Sequence, residues 1–533
     1  MIELNWPDAP ADRDPGTYRG GMRFLVDGEI REWTGASVNV MSPLYQRSAQ
    51  GLEQRLLGPS ALPDASCAKA ALSAAVKAFG RGRGSWPTAP VAERIRATEK
   101  FLDGMKARRL EMARLITWEI SKPWKDSLAE VDRTIEYGVA TIEALKDVDR
   151  VSSRFVLESG FLAQIRRSPI GVALCMGPYN YPLNETFTTL LPALIMGNTV
   201  IAKLPRFGLL CQMPLLEAFA ESFPPGVINI LPGDGQTVIT PIIASGEIDL
   251  LAFIGSARVA NILKQQHPRP NKLRSVLGLG AKNAAVVLAD ADLEKAVPEC
   301  VSGALTFNGQ RCTALKVFFV QRKIADEFAR RVAEGVAQLK HGLPFEDGVS
   351  LTPLPDHATV SNMTKMMEDA VSRGARIVNE NGGSTDRTYF HPAVVYPVTE
   401  SMELWRREQF GPIVPIAVFD EIDEIFEYLA GSAHGQQASV FGKDPAVIGR
   451  LVDELANQVC RVNLNSQCRR GPDAFPFGGR KDSAEGTLSV SDALRVFSIR
   501  TLVAAVENDA NTELVQEIVR GRTSRFLTTD YLF

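Results

Sequence analysis

Between Gly171 and Ile254 short apolar runs alternate with stretches of helical spacing, and nothing else in the chain narrows its fold as far. Val172–Cys175, Thr199–Ala202, Val227–Leu231 and Leu250–Ile254 are apolar almost throughout. A strand apolar on both faces must be covered by helices on both sides, so these runs belong to a parallel, doubly wound α/β sheet. A second set follows at Ala284–Leu288, Lys316–Gln321, Ile377–Val378, Val394–Tyr396, Ile413–Val418 and Ala438–Phe441, which predicts a second α/β unit from about Asn283. Upstream, Ala68–Phe79 and Val91–Ile120 carry helical spacing, ending near Ser121-Lys122-Pro123, and a further helix fits Asp126–Leu145. Phe161–Pro169 alternates like an exposed strand, Val496–Val506 reads as a closing strand, and Asn511–Arg520 as a helix in a tail. The first sixty residues read as irregular, with one strand at Met22–Val26.

A chain of 533 residues is long enough for two or three domains. Its basic residues are scattered and its formal net charge is −3, so no nucleic-acid partner is expected. The start, Met1–Asp8, lacks the charged and apolar regions of a signal peptide. The most apolar run, Leu190–Ala202, is too short to span a bilayer and is broken by Pro192, Gly197 and Asn198. Seven cysteines without close pairing, and five histidines without metal-ligand spacing, predict a reduced, metal-free, cytoplasmic protein with no membrane partner.

The chemistry centres on Gly309-Gln310-Arg311-Cys312-Thr313. A cysteine attacks only as thiolate, and a neighbouring guanidinium with nearby backbone N–H groups is expected to lower the thiol pKa. Gly255-Ser256, between the run Leu250–Ile254 and a helix from Ala257, would present free N–H groups to a phosphate; an ordinary strand–turn–helix is equally consistent. Lys203 and Arg206 follow another buried strand, where they would grip a ribose and its 2′-phosphate or serve only as a solvated pair. Asn180, in the loop Gly177–Pro182, would donate to an oxyanion or simply form a turn. Arg133, Arg311 and Arg470 carry forks suited to phosphate or sulfonate, although nothing local says that they converge.

Taken in order, Pro178-Tyr179-Asn180-Tyr181-Pro182, Lys203, Gly255-Ser256, Gly309–Cys312, Glu408–Pro412 and Pro476–Gly479 resemble the aldehyde dehydrogenase superfamily from about Met22 to Val506. Glu130–Thr134, Asn180–Pro182, Gln310–Ala314 and Arg470–Phe477 are most similar to its non-phosphorylating, NADP-dependent glyceraldehyde-3-phosphate dehydrogenase branch. The resemblance implies the aldehyde dehydrogenase fold. A Rossmann-like NADP-binding domain would comprise residues 1–156 and 171–282, a catalytic domain 283–486, and a β oligomerisation extension 157–170 and 487–506, with a tail over 507–533. It implies a homodimer or homotetramer, Cys312 as nucleophile, and Asn180 with the Cys312 N–H as oxyanion donors. Glu408 and Phe410 would position the nicotinamide ribose and ring, and Lys203 the adenosine ribose. Arg206 favours NADP over NAD, and Arg133, Tyr181, Arg311 and Arg470 would hold the phosphate of a small aldehyde.

One position departs from the family. The glutamate that activates the hydrolytic water is replaced in Leu277-Gly278-Leu279-Gly280-Ala281-Lys282 by Gly278. Losing a positioned base costs about 10²–10⁴-fold on the step it serves. Gly280–Asn283 is similar to the CoA-acylating methylmalonate-semialdehyde branch, in which a thiol takes the acyl group. Replacement of the base, a different acceptor and poor turnover are thus the three expectations, the last including a pseudoenzyme that keeps cofactor binding. Glu185 and Glu408 are the nearest carboxylates by sequence. A sulfonated aldehyde would satisfy the same arginines. The tail beyond Glu507 has no counterpart in most of the superfamily and is expected at a subunit interface.

Overall fold

The computed structural model describes Leu4, Trp6 and residues 11–49 and 51–530. An eight-stranded sheet holds five parallel strands in the spatial order Ile228–Leu231, Thr199–Lys203, Val172–Met176, Leu250–Ile254, Arg274–Gly278. Arg23–Val26 and Glu29–Glu32 extend one edge antiparallel, and Ala484–Glu485 extends the other. Counted along the chain this is the 3-2-1-4-5 order of a doubly wound sheet, whose ligand crevice opens between strands 1 and 4, beyond their carboxyl ends. Those ends are Met176 and Ile254.

The two-faced burial has a direct structural expression. Ala173, Cys175, Leu250 and Ala252 point into one apolar cluster, whereas Val172, Leu174, Leu251 and Phe253 point into another on the opposite face. The first cluster continues into the second sheet through Ala285, Val287, Phe318 and Val320, so one core joins both sheets. The second, seven-stranded sheet runs Arg376–Ile377, Ala393–Tyr396, Ile413–Phe419, Leu315–Gln321, Asn283–Val287, Gln437–Phe441, Arg461–Leu464 and is parallel except at its first pair.

Three helices position the site. Trp124–Ser152 lies along the core and carries Glu130 and Arg133. Asn184–Ile195 is buried along its whole length, the polar Asn184, Glu185, Thr186, Thr188 and Thr189 included. Its N-terminus has no side-chain cap of its own; the Glu130 carboxylate accepts from Leu183 N at 3.0 Å and Asn184 N at 3.2 Å instead. Leu293–Leu305 leads through a short 3₁₀ turn to Cys312.

Some expectations of secondary structure need correction. Among the described residues of the first sixty, the expected irregular stretch holds regular structure, with Ser37–Ser48 and Gly51–Ala61 in a long antiparallel hairpin. Val91–Ile120 is two helices, Val91–Ala107 and Arg109–Ile120, hinged at Arg108. The tail touches the strand Phe161–Pro169 of its own chain, where the Thr528 carbonyl accepts from Gln164 Nε2 at 2.7 Å and Arg166 Nη1 at 3.3 Å, a contact within one chain that does not bear on the expected subunit interface. Among the described residues no helix is long and apolar enough to cross a membrane.

Candidate active site

A cleft of about 1440 Å³ opens between the carboxyl ends of the first sheet's parallel strands and the amino ends of the second sheet's strands. Asn180, Tyr181, Gly255, Ser256, Cys312, Glu408, Phe410, Arg133, Arg311 and Arg470 all line it. Lys203 and Arg206 stand outside these walls. Lys203 ends the strand next to Val172–Met176, and burial pulls its pKa down. Arg206 is exposed and stacks on Phe207 at 5.1 Å.

Cys312 follows Phe307, Asn308 and Gly309, three residues in the left-handed region with φ 50°, 54° and 70°. Only glycine adopts that conformation without strain, so the bend must be held from outside. Lys316 holds it, donating to the carbonyls of Gly309 at 2.7 Å and Gln409 at 2.9 Å. Burial drives the Lys316 ammonium pKa down and that of the Glu408 carboxyl, 3.9 Å away, up; the attraction between the two opposes both shifts.

The thiol itself does not match the sequence expectation. Burial, then the nearby Glu185 carboxylate, push Cys312 up to about 11, so at neutral pH it rests protonated. The opposing influences come from the Gln436 carboxamide and Arg470. Arg311 is turned away, donating through Nη2 to the Ser302 and Gly303 carbonyls at 3.3 and 2.8 Å, where it caps the end of Leu293–Leu305. Adjacency in sequence placed the cation beside the thiol, but a helix terminus competes for it.

Asn180 Nδ2 donates to the Gln310 carbonyl at 2.7 Å, which leaves its second N–H to the cleft. Its own carbonyl accepts from Lys122 Nζ at 2.7 Å. Lys122 is fully buried, ion-pairs with Glu130 at 2.5 Å, and lies 3.5 Å from the Tyr181 ring centroid. The loop bearing Asn180 is therefore anchored by a charge pair that the sequence did not disclose.

Arg470 is buried. It pairs with Glu185 at 3.2 Å, donates to the Leu488 carbonyl at 3.0 Å, and stacks on Phe477 at 4.0 Å. Arg133 reaches Asp473 at 3.2 Å. Two guanidinium atoms, Arg470 Nη1 and Arg311 Nε, are buried without a hydrogen-bond partner, as is Glu408 Oε1. Such groups are costly unless something accepts from or donates to them.

Gly278 ends the strand Arg274–Gly278 and lines the cleft. A Cβ built there would meet Ile254 at 3.4 Å and Leu488 at 3.7 Å, ordinary contacts, so the backbone does not demand glycine. His434, which lines the cleft from the short strand His434–Gly435, and Gln436, in the bend just after it, were not singled out from the sequence. Their signal was available: polar residues at alternate positions just before the apolar run 438–441.

Comparison with known proteins agrees with this architecture. The family model "Aldehyde dehydrogenase family" matches residues 50–503, and the chain belongs to that family. Among curated relatives, the NADP-dependent glyceraldehyde-3-phosphate dehydrogenase of Streptococcus equinus is 32% identical over 78% of this chain and 86% of its own length. Human aldehyde dehydrogenase 1A1 is 31% identical over 78% of this chain and 82% of its own. The crystal structure of the NADP-dependent glyceraldehyde-3-phosphate dehydrogenase of Bacillus halodurans, complexed with NADP, superposes with a TM-score of 0.82 at 29% identity, covering 91% of this chain and 99% of that one. Two relatives of different name lie within one percentage point of identity, so the substrate has to be argued from the site.

Proposed function

We propose that this chain oxidises a small phosphorylated aldehyde, glyceraldehyde 3-phosphate being the first choice, with NADP as the acceptor and Cys312 as the covalent nucleophile. The observation that carries it is the pair of buried, partnerless guanidinium atoms, Arg470 Nη1 and Arg311 Nε, in the same cleft as the thiol. A dianion supplies the acceptors they lack, and a neutral alkyl chain would not. The relatives named for glyceraldehyde 3-phosphate support the choice.

The residues present also fit the cofactor. Glu408 Oε1 is a buried acceptor without a donor, suited to a ribose hydroxyl, and Ser256 opens the helix Ala257–Gln266 at the crevice between the two central strands. When bound there, NADP would take the hydride released by the aldehyde carbon. Lys203 and Arg206 would meet the adenosine ribose and its 2′-phosphate beyond the cleft walls.

The steps assigned to the chain are these. Cys312 gives its proton to solvent water and its sulfur adds to the carbonyl carbon. The resulting oxyanion is met by the Cys312 N–H and the free N–H of Asn180. Arg470, with Arg133, Tyr181 and Arg311, fixes the phosphate and so holds the carbonyl against the sulfur. Departure of the hydride leaves a thioester, which water then hydrolyses. Transfer to CoA is the second reading, and the observation favouring it is Gly278, which puts no side chain where a base would stand.

The division into a cofactor-binding unit (1–156 and 171–282), a catalytic unit (283–486) and a joining extension belongs to the same proposal, as does a cytoplasmic site of action. Exposed Ile499, Leu502 and Val506 on the edge strand Ser498–Val506 support subunit pairing through that extension.

Rapid mixing of near-stoichiometric protein, NADP and glyceraldehyde 3-phosphate tests the reading. A burst of about one NADPH per site is expected, absent with the unphosphorylated aldehyde. Sulfolactaldehyde in place of the phosphate ester tells a phosphate site from a sulfonate site, and acyl-CoA formation on adding CoA identifies a thiol acceptor. No reduction with either anionic aldehyde would refute it.

A further inference from the structure

We propose that His434, positioned with Gln436, is the base that activates water for release of the acyl group from Cys312. This rests on the function proposed above and extends it to the step that Gly278 leaves without a catalyst.

Of the other acids of the cleft, four are occupied. Glu130 holds Lys122 and caps a helix. Glu185 pairs with Arg470. Asp356 caps its own helix through Thr359 N at 2.8 Å. Glu408 faces Lys316 and is the ribose acceptor. Asp126 stands at the exposed rim, where partial desolvation raises its pKa against the lowering influence of Lys122, Lys125 and Arg311. His434 Nδ1, like Glu408 Oε1, is buried with no direct hydrogen-bond partner, but no ion pair, helix cap or cofactor contact claims it.

Its place is equally specific. The stretch Gly278-Leu279-Gly280 forms a ledge whose two glycines both line the cleft. A Cβ on Gly280 would lie 3.5 Å from His434 Cε1, an ordinary contact, and 2.9 Å from Glu408 Oε2, so the imidazole stands directly over the ledge while Glu408 is the neighbour that keeps position 280 bare. His434 lies in the short strand His434–Gly435, and Gln436 occupies the bend that follows it, two residues along the chain. Gln436 reaches the Cys312 thiol and favours its anion. Its Oε1, like His434 Nδ1, is buried and unpartnered. Between them they present two acceptors to one water beside the thioester, enough to orient it and to take one of its protons.

The groups facing His434 keep it in the required form. Burial and the Lys282 ammonium lower its pKa, and a backbone hydrogen bond with Gly280 and then Asp482 oppose them. Glu408 stands across Gly280, and Lys481, its strand partner, spends its ammonium on the carbonyls of Leu429 and Ser432. The imidazole is therefore neutral at neutral pH.

The step balances without further reagents. His434 takes a proton from water, whose oxygen adds to the acyl carbon. The tetrahedral adduct collapses by breaking the C–S bond, and the sulfur leaves as thiolate. The proton on His434 returns to that thiolate, and the acid formed ionises to solvent.

The test uses the full protein with NADP and glyceraldehyde 3-phosphate, comparing the unmodified chain with His434→Gln. The burst should keep its rate and amplitude, while the steady rate falls about 10²–10⁴-fold. Mass spectrometry of the quenched variant should find acyl-Cys312 accumulating. In the unmodified protein the steady rate should rise with pH through an ionisation below the ordinary histidine value, and in the variant that rise should be gone. Adding Gly278→Glu to the variant should restore turnover. An unchanged steady rate in His434→Gln, or a burst slowed as much as the steady rate, overturns the assignment. Should the variant fold poorly, a steady rate of the unmodified protein that is flat with pH between 5 and 7 overturns it alone. A missing burst in the unmodified protein refutes the underlying function instead, which keeps the two failures apart.

Discussion

The two flanks of Cys312 are built in opposite ways. On the side of the first sheet's helices, charges are buried in pairs: Lys122 with Glu130, Arg470 with Glu185. On the side of the strand ends, Gly278 and Gly280 present bare backbone. Buried ion pairs cost desolvation that their attraction offsets only with good geometry, so a protein keeps them where position matters more than stability. The crowded flank thus fixes where a substrate anion and its carbonyl lie. The bare flank commits nothing, and a group from across the cleft can use the space.

The strongest way to break this contrast is Lys122→Met. It leaves Glu130 as a buried carboxylate without its cation and should cost about 3–5 kcal/mol, read by denaturant unfolding. A loss below about 1 kcal/mol would mean that the crowded flank is not held by charge. Arg470→Ala should cost about 2–5 kcal/mol of transition-state stabilisation with a phosphorylated aldehyde. The measurement is kcat/KM against the same aldehyde without phosphate, which should change far less; an equal loss for both would deny the arginine its anion.

Glu185→Gln sharpens the contrast electrostatically. Because burial and Glu185 raise the thiol to about 11, alkylation of Cys312 in the unmodified protein should climb with pH up to about 10 without levelling. Removing the carboxylate takes away a like charge and frees Arg470, so the thiol pKa should fall and alkylation at pH 8 should rise, about tenfold for each unit of fall. No change would remove Glu185 from the account. The smallest effect belongs to the bare flank: Gly278→Ala should leave stability within about 1 kcal/mol, since its Cβ finds ordinary contacts. A large loss would show that the ledge is structural after all.

The sequence disclosed most of the fold because parallel strands buried on both faces, such as Val172–Met176 and Leu315–Gln321, write their burial as unbroken apolar runs. It hid Arg274–Gly278, where only Val276 and Leu277 are buried and apolar, and the hairpin Ser37–Ala61, whose polar, largely exposed outer half blurs the alternation. In the site, Cys312, Asn180 and the arginines were legible as residue types in motifs. Their partners were not: Lys122 finds Glu130 along one chain segment, but its hold on the Asn180 carbonyl exists only after folding. The direction of Arg311 was misjudged for the same reason, since the carbonyls that capture it belong to a helix end.

Gln310 gives the molecule a mechanical property. Its backbone carbonyl accepts from Asn180 and its Oε1 from Tyr179 at 3.0 Å, so one residue of the nucleophile's strand-side loop clasps the loop that leaves the other sheet. The gap between sulfur and crevice is therefore set by a side chain that forms and breaks no bond to substrate. Displacements of about 1 Å between reacting groups can cost about a hundredfold in rate. The speed of this chemistry is thus geared to the length of one carboxamide arm, and catalysis can be tuned from there while every reacting group stays as it is.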